Sequence, residues 1–309
     1  MASGKHDNTF LVTFGIPAIF VLIWSTGWIV ARFISEDSDV LTMLVLRYLC
    51  ASLLLAVFAF ASKAQWPSTR ADWGHALFSG ILIHGFYLAG IWWAVGHGIP
   101  ASISALLAAL QPIFTAILAP RLAGERVGIA QWAGISLGFV GIVMVLAPKL
   151  TTVDPDQMSG MTWLLLINTA GMMSLTLGTF YQKRFLHSGD LRSVTAVQFV
   201  GAALVTLPAA FAFEQMRIGT STNTLLSLAW SVLALSIVSI ALLLFLIRRG
   251  EVARSAQLIY LVPPVAALQA FFFFHETLAG LQMAGMALTC VGVALAVRRE
   301  GRRIPSPKE

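Results

Sequence analysis

The sequence predicts an all-α membrane protein with ten transmembrane helices, arranged as two inverted five-helix repeats. Its 309 residues are 58% hydrophobic and only 11% charged, with a mean hydropathy of +0.82, whereas about a quarter of residues are charged in soluble domains. Long apolar runs are separated by short polar clusters, and the second half of the chain repeats the first at a fixed offset. A large soluble domain is therefore excluded. An outer-membrane barrel, whose strands alternate over about ten residues, is disfavoured.

Polar clusters and Gly/Pro breaks divide the chain into apolar segments of about 20 residues, the length of a membrane-crossing helix. The first segment is too long for a signal-peptide core and is predicted to be a retained helix. The third and fourth meet at residues 96–100, because no Asp, Glu, Lys or Arg lies between Asp72 and Arg121. In order, the predicted spans are 11–34, 40–61, 73–95, 99–121, 126–147, 161–184, 192–213, 224–247, 252–275 and 279–298.

The distribution of basic residues predicts the orientation. If the N-terminus is cytoplasmic, sixteen of the 20 Lys and Arg residues fall in cytoplasmic loops or tails. Arg32, Lys149 and Arg217 then lie on the outer side, and Arg47 lies within a span. This bias predicts a multi-pass protein of the cell inner membrane with both termini cytoplasmic. The net charge of +6 is therefore interpreted as a topology signal, and the lipid bilayer, not nucleic acid, is the expected partner.

A shift of 151 residues aligns the two halves of the chain. It places Pro112 on Pro263 without a gap, and 14 of 46 positions are identical between 101–146 and 252–297. A constant offset that also aligns Glu, Gln and Gly residues indicates an internal repeat.

Each half contains five predicted spans, and an odd number means that the second half enters the membrane upside down relative to the first. Inverted repeats of this kind are typical of secondary transporters. The predicted units are a first repeat over 1–148, a second repeat over 149–300 and a cytoplasmic tail over 301–309.

Short motifs occur at related positions in the two halves. They are Trp24-Ser25-Thr26-Gly27, Leu110-Gln111-Pro112 and Gly124-Glu125 in the first half, and Leu261-Val262-Pro263 and His275-Glu276 in the second. Together they resemble the EamA-type transporters of the drug/metabolite transporter superfamily. The resemblance implies ten helices, cytoplasmic termini and transport of small metabolites, often amino acids or their analogues and usually outward. The second half departs from the family pattern, since His275 replaces the usual glycine.

Prolines and polar side chains within the spans are the candidate pathway residues. Pro112 and Pro263 predict helix kinks, because proline removes a backbone hydrogen bond. Polar side chains at membrane depth usually face the protein interior or water, where aromatic rings and hydrogen-bonding groups suit an organic substrate. Core packing is the alternative for each aromatic residue. The predicted substrate-binding residues are Trp24, Trp28, His84, Tyr87, Gln111, Asn168, Thr176, Gln257 and Tyr260.

Arg47 is the one formally charged residue well inside a predicted span. It offers a cation for a substrate carboxylate, but its repeat partner Gln198 is uncharged, which favours a side chain that reaches back to the outer interface. His84 offers a site for proton coupling, and a neutral imidazole bonded to a neighbouring helix is the alternative. Because no Asp or Glu lies at mid-span, a carboxylate relay for protons or sodium is not predicted.

Glu125 and Glu276 each precede an apolar run. Both are interpreted as favourable negative charges at the N-terminus of the helix that follows. Glycines three, four or seven residues apart lie in the runs that follow. They predict close packing of helices within the chain, a homodimer interface being the alternative.

These observations predict a secondary transporter that exports small amphiphilic metabolites, such as amino acids or analogues, by alternating access through a central cavity. No catalytic residue, metal or cofactor is predicted, because the histidines are scattered and no HExxH or GxSxG motif is near them. A carrier of nucleotide sugars or lipid-linked sugars is the alternative within transport, although the spans offer only Arg47 as a cation for phosphates. An intramembrane enzyme is the alternative from another class.

Overall fold

The computed structural model of the chain consists of helices and the loops between them. It describes residues 15–108, 110–122, 124, 128–152, 155–248, 262–276 and 279–297. No strand occurs within these ranges. The prediction of an all-α protein is therefore confirmed for them.

Thirteen α-helices and two π-helical segments follow one another along the described residues. They are α1 (Ile16–Ile34), α2 (Val40–Ala61), α3 (Arg70–Gly80), π1 (Ile81–Phe86), α4 (Tyr87–Gly96), α5 (Ala101–Leu107), α6 (Leu110–Leu122), α7 (Ile129–Thr152), α8 (Pro155–Phe185), α9 (Leu191–Phe213), α10 (Thr222–Val232), π2 (Leu233–Val238), α11 (Ser239–Arg248), α12 (Val262–Phe274) and α13 (Gly280–Val297).

Several helical stretches are long and apolar enough to cross a membrane. The six of full length are Ile16–Ile34, Val40–Ala61, Arg70–Gly96, Gly160–Phe185, Leu191–Phe213 and Thr222–Leu242. Shorter apolar stretches are Ile113–Leu122, Trp132–Val145, Val262–Phe274 and Gly280–Gly292. Each of the predicted spans overlaps one of these stretches.

The outer surface of the bundle carries large apolar side chains. Leu53, Phe60, Phe211 and Phe272 are 65%, 68%, 67% and 71% exposed. Exposed apolar surface on this scale is unusual for a soluble monomer. It is the surface that a bilayer covers, because lipid tails are as apolar as these side chains.

The fourth predicted span is interrupted. α5 ends at Leu107 and α6 begins at Leu110, so the break precedes Pro112 and the proline lies in the first turn of α6. A proline is tolerated there, because the N–H that it lacks has no partner in the first turn of a helix. Pro263 is the second described residue of α12.

The two π-helical segments lie at related positions in the chain. π1 joins α3 to α4 and π2 joins α10 to α11, and their first residues, Ile81 and Leu233, are 152 positions apart. This separation is within one residue of the offset between the halves. π-Helical turns are rare and frequently occur at functional sites.

Three of the described non-glycine residues have a positive φ, and each follows the end of a helix. They are Lys63 (51°), Met216 (59°) and His275 (53°). His275 stands 151 positions after Gly124, which has a φ of 68°. His275 therefore holds the backbone in the conformation that Gly124 has at the related position and that glycine favours after a helix.

Helices α2 and α9 pack against each other near the centre of the bundle. The Ser52 hydroxyl donates to the Ala196 carbonyl over 2.9 Å, and the rings of Tyr48 and Phe199 stack with centroids 5.8 Å apart. Helix α3 approaches α9 closely at Gly80, where a Cβ would collide with the backbone of Gln198. This close approach fixes Gln198 beside the chain that leads into π1.

Helices α7 and α13 form a second close pair. A Cβ on Gly141 would lie 2.5 Å from the carbonyl oxygen of Gly285, and one on Gly292 would lie 2.6 Å from that of Gly134. Since Gly134 faces Gly292 and Gly141 faces Gly285, the two helices run antiparallel. The close packing predicted from the glycine spacing is thus present within the chain.

Two glutamates cap helices that are distant in sequence. Glu214 accepts hydrogen bonds from the amides of Leu41 and Thr42, both over 2.8 Å, at the start of α2. Glu276 accepts from the amides of Ala101 and Ser102, over 3.1 and 3.2 Å, at the start of α5. The interpretation of Glu276 as a charge for the following helix is therefore wrong, because its carboxylate binds a helix of the other half.

The expectation for Glu125 lies outside the described residues.

Candidate functional site

A cavity of about 330 Å³ lies between helices of both halves of the chain. Its volume falls within the range of about 300–1,000 Å³ typical of small-molecule sites. The walls are mostly aromatic and aliphatic, and the polar side chains are few. Those polar side chains are Arg47, His84, Gln111, Thr179, Gln182, Thr195, Gln198 and Thr289.

Five of the nine predicted substrate-binding residues line this cavity: Trp24, Trp28, His84, Tyr87 and Gln111. They come from α1, π1, α4 and α6, and Pro263 of α12 joins them. The predictions for Gln257 and Tyr260 lie outside the described residues.

Asn168 is close to the cavity wall without lining it. Its side-chain amide donates to the Ser104 hydroxyl over 2.5 Å, and the same hydroxyl accepts from the Trp28 indole N–H over 3.1 Å. All three side chains are buried. Asn168 therefore acts on the wall through Ser104, which holds the Trp28 ring in position.

Thr176 is buried in α8 and also stands away from the cavity wall. Its hydroxyl donates to the carbonyl of Met172, one turn earlier in the same helix, over 3.0 Å. Met172 and Thr179, on the adjacent face of α8, line the cavity instead.

The π1 segment positions His84, and the helix that follows it positions Tyr87. Two carbonyls of π1 accept hydrogen bonds from side chains of other helices: that of His84 from the Tyr48 hydroxyl over 2.8 Å, and that of Leu82 from the Ser174 hydroxyl over 3.0 Å. Such partners stabilise a widened turn, because they satisfy carbonyls that a change of helical register leaves open.

His84 belongs to a network of polar side chains with Gln198. The side-chain nitrogen of Gln198 donates to the Ser79 hydroxyl and to the Gln182 side-chain oxygen, both over 3.0 Å. Both amide hydrogens of Gln198 are therefore engaged by side chains of neighbouring helices. The His84 ring lies close enough to the Gln198 side chain for the two to interact.

Arg47 is a cavity residue, contrary to the interpretation that it reaches the outer interface. Only 6% of the residue is exposed, and its guanidinium lies 5.6 Å from the centre of the Trp92 ring. Its Nε has no hydrogen-bond partner. Its repeat partner Gln198 also lines the cavity, and no signal in the sequence distinguishes this orientation from one toward the lipid interface.

Arg47 gives the cavity its formal charge. Among the described residues of the wall, Arg47 is the only Lys or Arg, and no Asp or Glu occurs. No group of three or more His, Cys, Asp or Glu residues that could hold a metal ion occurs in the described ranges.

Acidic groups lie instead in the loop between α1 and α2. Asp39 forms an ion pair with Arg217 over 3.0 Å. Hydrogen bonds from the hydroxyls of Thr224 and Ser221 lower the pKa of Asp37 below its ordinary value. These contacts connect the loop to the segment between α9 and α10.

Apolar helices of membrane-crossing length around a ligand-sized cavity define a polytopic membrane protein of the transporter class. Comparison with known families agrees with this class. The chain belongs to the EamA-like transporter family, whose domain matches residues 13–147 and 161–298. The resemblance inferred from the motifs is thereby confirmed.

Named relatives align over nearly the full chain. The "Uncharacterized inner membrane transporter YedA" of Escherichia coli K12 is 26% identical, over 92% of this chain and 90% of its own length. The "Probable amino-acid metabolite efflux pump" of Salmonella typhimurium is 26% identical, over 91% and 93%. The "Probable terminal-alkyne amino-acid exporter" of Streptantibioticus cattleyicolor is 24% identical, over 92% and 93%.

A solved crystal structure shares the fold. It aligns with a TM-score of 0.63 at 16% identity and covers 91% of this chain and 94% of its own.

Proposed function

We propose that this protein is a secondary transporter of the inner membrane that exports small amphiphilic metabolites, such as amino acids or their analogues. The substrate occupies the central cavity, which opens alternately to the two sides of the membrane. The observation that carries the proposal is the 330 Å³ cavity, whose wall joins aromatic rings to a small set of polar side chains from both halves.

The proposed architecture is a pair of inverted repeats, 1–148 and 149–300, with a tail over 301–309. The stacked pair Tyr48 and Phe199 supports it, because these residues are 151 positions apart and sit on helices that are related by the same offset. The antiparallel packing of α7 on α13 supports the inversion, since these two helices are also related by that offset. Alternating access then amounts to movement of one repeat against the other.

The relatives support the location and the substrate class. Their names describe an inner membrane transporter, an amino-acid metabolite efflux pump and an amino-acid exporter. For this chain we infer the same membrane, an outward direction and a substrate of amino-acid size. We further infer that the chain carries no enzymatic activity.

Cytoplasmic termini are part of the proposal. The support is the excess of Lys and Arg in the loops and tails that this orientation places inside. Alkaline phosphatase or fluorescent-protein fusions at the C-terminus test it. Fluorescence without phosphatase activity agrees with the proposal, and the reverse pattern contradicts it.

Exchange of labelled amino acids and analogues across liposomes that contain the purified protein tests the transport function. Gly27 lines the cavity, and a Cβ at this position would meet no atom within 4 Å. Gly27→Leu therefore fills part of the cavity without a backbone collision, and we expect it to abolish exchange.

Gly160→Leu is the matched control. Gly160 is an exposed helical residue where a Cβ also meets nothing within 4 Å, but it is remote from the cavity wall. We expect full exchange in this variant. A folded wild-type protein that moves no compound of the panel, or equal exchange by Gly27→Leu and wild type, contradicts the proposal.

A further inference from the structure

Arg47 is a buried cation without a described counter-ion. It lies in the second turn of α2, about 10 Å from the start of the helix at 1.5 Å per residue. The residue is 94% buried, its Nε lacks a hydrogen-bond partner, and it occurs in none of the ion pairs between described residues. A charge held in this way is strongly destabilising unless water or a ligand compensates for the lost hydration.

The surroundings of Arg47 favour the binding of an anion. Trp92 covers one side of the guanidinium at 5.6 Å, and the Tyr87 phenol lies close enough to interact with the charge. The neighbouring amide donor is already engaged, since the Gln198 side chain donates to Ser79 and Gln182. The N–H groups of Arg47 are therefore the charged donors that this wall offers to a ligand.

We propose that Arg47 binds the carboxylate of the transported molecule, which is a small organic acid with an aromatic or branched apolar body. This inference rests on the proposed transport function and names the substrate group that Arg47 recognises. Guanidinium and carboxylate match in a bidentate pair, which is a strong and directional contact. The apolar body lies against the indoles of Trp24 and Trp28, which line the same cavity.

The single positive charge of the wall favours a carboxylate over anions that carry several negative charges. A single guanidinium on the described wall satisfies one carboxylate, whereas a pyrophosphate would bring further negative charges without cationic partners. Arg47 also gives the empty cavity a positive charge, which the bound carboxylate cancels.

Matched acid and amide probes test the inference on the full-length protein in lipid nanodiscs. The probes are 3-phenylpropionate and 3-phenylpropionamide, which share a shape and differ in charge. We expect wild type to bind the acid at least about tenfold more tightly than the amide, the effect of one charge-assisted hydrogen-bonded contact. Arg47→Gln is expected to remove this preference. Arg47→Lys is expected to retain part of it, because lysine keeps the positive charge but cannot form the bidentate pair with a carboxylate.

Arg32→Gln is the control, because it removes an exposed positive charge at the outer end of α1 and leaves the cavity unchanged. Thermal unfolding of each variant verifies that it is folded, and Arg47→Lys provides the second reading if Arg47→Gln does not fold. Acid preference in wild type and Arg32→Gln that is lost in Arg47→Gln, or reduced in Arg47→Lys, supports the inference.

Equal binding of acid and amide by wild type, or an acid preference that survives Arg47→Gln, overturns the inference. So does the absence of binding for both probes. In each case the liposome exchange of the amino-acid panel on the same preparation decides the proposed function separately, because blockage by Gly27→Leu does not depend on the charge of the substrate.

Discussion

The aromatic rings of Tyr48 and Phe199 stack with centroids 5.8 Å apart and planes inclined by 18°. The two residues are 151 positions apart, so each is the counterpart of the other at the offset that relates the halves. Tyr48 is fully buried, and its hydroxyl donates to the His84 carbonyl over 2.8 Å. One side chain therefore contacts the opposite half through its ring and fixes a cavity-lining segment through its hydroxyl.

Tyr48→Phe separates these two roles. The ring stack remains and the hydrogen bond to π1 is lost, so we expect a decrease of about 1 kcal/mol in the free energy of unfolding. Tyr48→Ala removes both and is expected to destabilise by about 3–5 kcal/mol. Unfolding in mixed micelles measures both values. Phe211→Ala, at a 67% exposed position, is the control, and an equal loss there would argue against a specific role of the stack.

The contact between α7 and α13 predicts that alanine is not tolerated at Gly141 or Gly285. A Cβ on either residue would lie 2.5–2.6 Å from the carbonyl oxygen of the other, so the helices would have to separate. We expect each variant to lose about 1–3 kcal/mol of stability, the usual effect of overpacking. The double variant should lose less than the sum, because one separation of the helices relieves both collisions.

Gly160→Ala is the control for this pair, since it adds a methyl group where no atom lies within 4 Å. We expect it to be neutral or to gain up to about 1 kcal/mol from helix propensity. Full stability of Gly141→Ala would show that the two helices are less closely packed than the structure indicates.

The positive φ of His275 predicts that a glycine at this position stabilises the protein. Its φ of 53° lies in the left-handed region, which is unfavourable by about 1–2 kcal/mol for a residue with a Cβ. His275→Gly is expected to raise the free energy of unfolding by about 1 kcal/mol. His275→Ala keeps the strain and should change little, while Gly124→Ala should introduce it in the other half. Destabilisation by His275→Gly, measured by thermal unfolding, would refute the prediction.

We expect the stabilisation that the ionised Asp37 gives its loop to decrease at acidic pH. Hydrogen bonds from Thr224 and Ser221 lower the pKa of Asp37, so the ionised form is favoured in the folded protein. The stabilisation is present above the ordinary carboxyl pKa near 3.8 and is lost as the pH falls through the lower folded value. Asp37→Asn should therefore lower the melting temperature at pH 7 and have a much smaller effect at a pH below the lowered folded pKa.

Glu36→Gln removes a neighbouring negative charge and is the control for Asp37→Asn. We expect its melting temperature to follow wild type at both pH values. An Asp37→Asn variant as stable as wild type at pH 7, or equally destabilised at both pH values, would mean that the ionised carboxylate is not what stabilises the loop.

The features that depend on local pattern were predictable from the sequence. Apolar runs of crossing length and glycine spacing determine where helices form and where they pack closely. The direction of a side chain was not predictable, as Arg47 shows: its depth in α2 could be read from its position, but both a lipid-interface and a cavity orientation fit that depth. Only the packing of Trp92 and Tyr87 around it distinguishes them.

Contacts between residues that are far apart in the chain explain the other differences between the predictions and the structure. The widened turn at π1 depends on groups from other helices, namely the hydroxyls of Tyr48 and Ser174. Glu276 caps a helix that begins 175 positions earlier in the chain. A sequence motif indicates a cap for the adjacent helix, because nothing in its spacing reports a partner so far away.

The cap that Glu214 provides for α2 also has a consequence for biosynthesis. Leu41 and the carboxylate that binds its amide are separated by 173 residues. At about 5–20 residues per second, roughly 9–35 seconds pass between the synthesis of the helix and that of its cap. During this interval the first turn of α2 must rely on water or lipid headgroups for its amides. The N-terminal end of α2 therefore reaches its final structure late, after most of the chain has been synthesised.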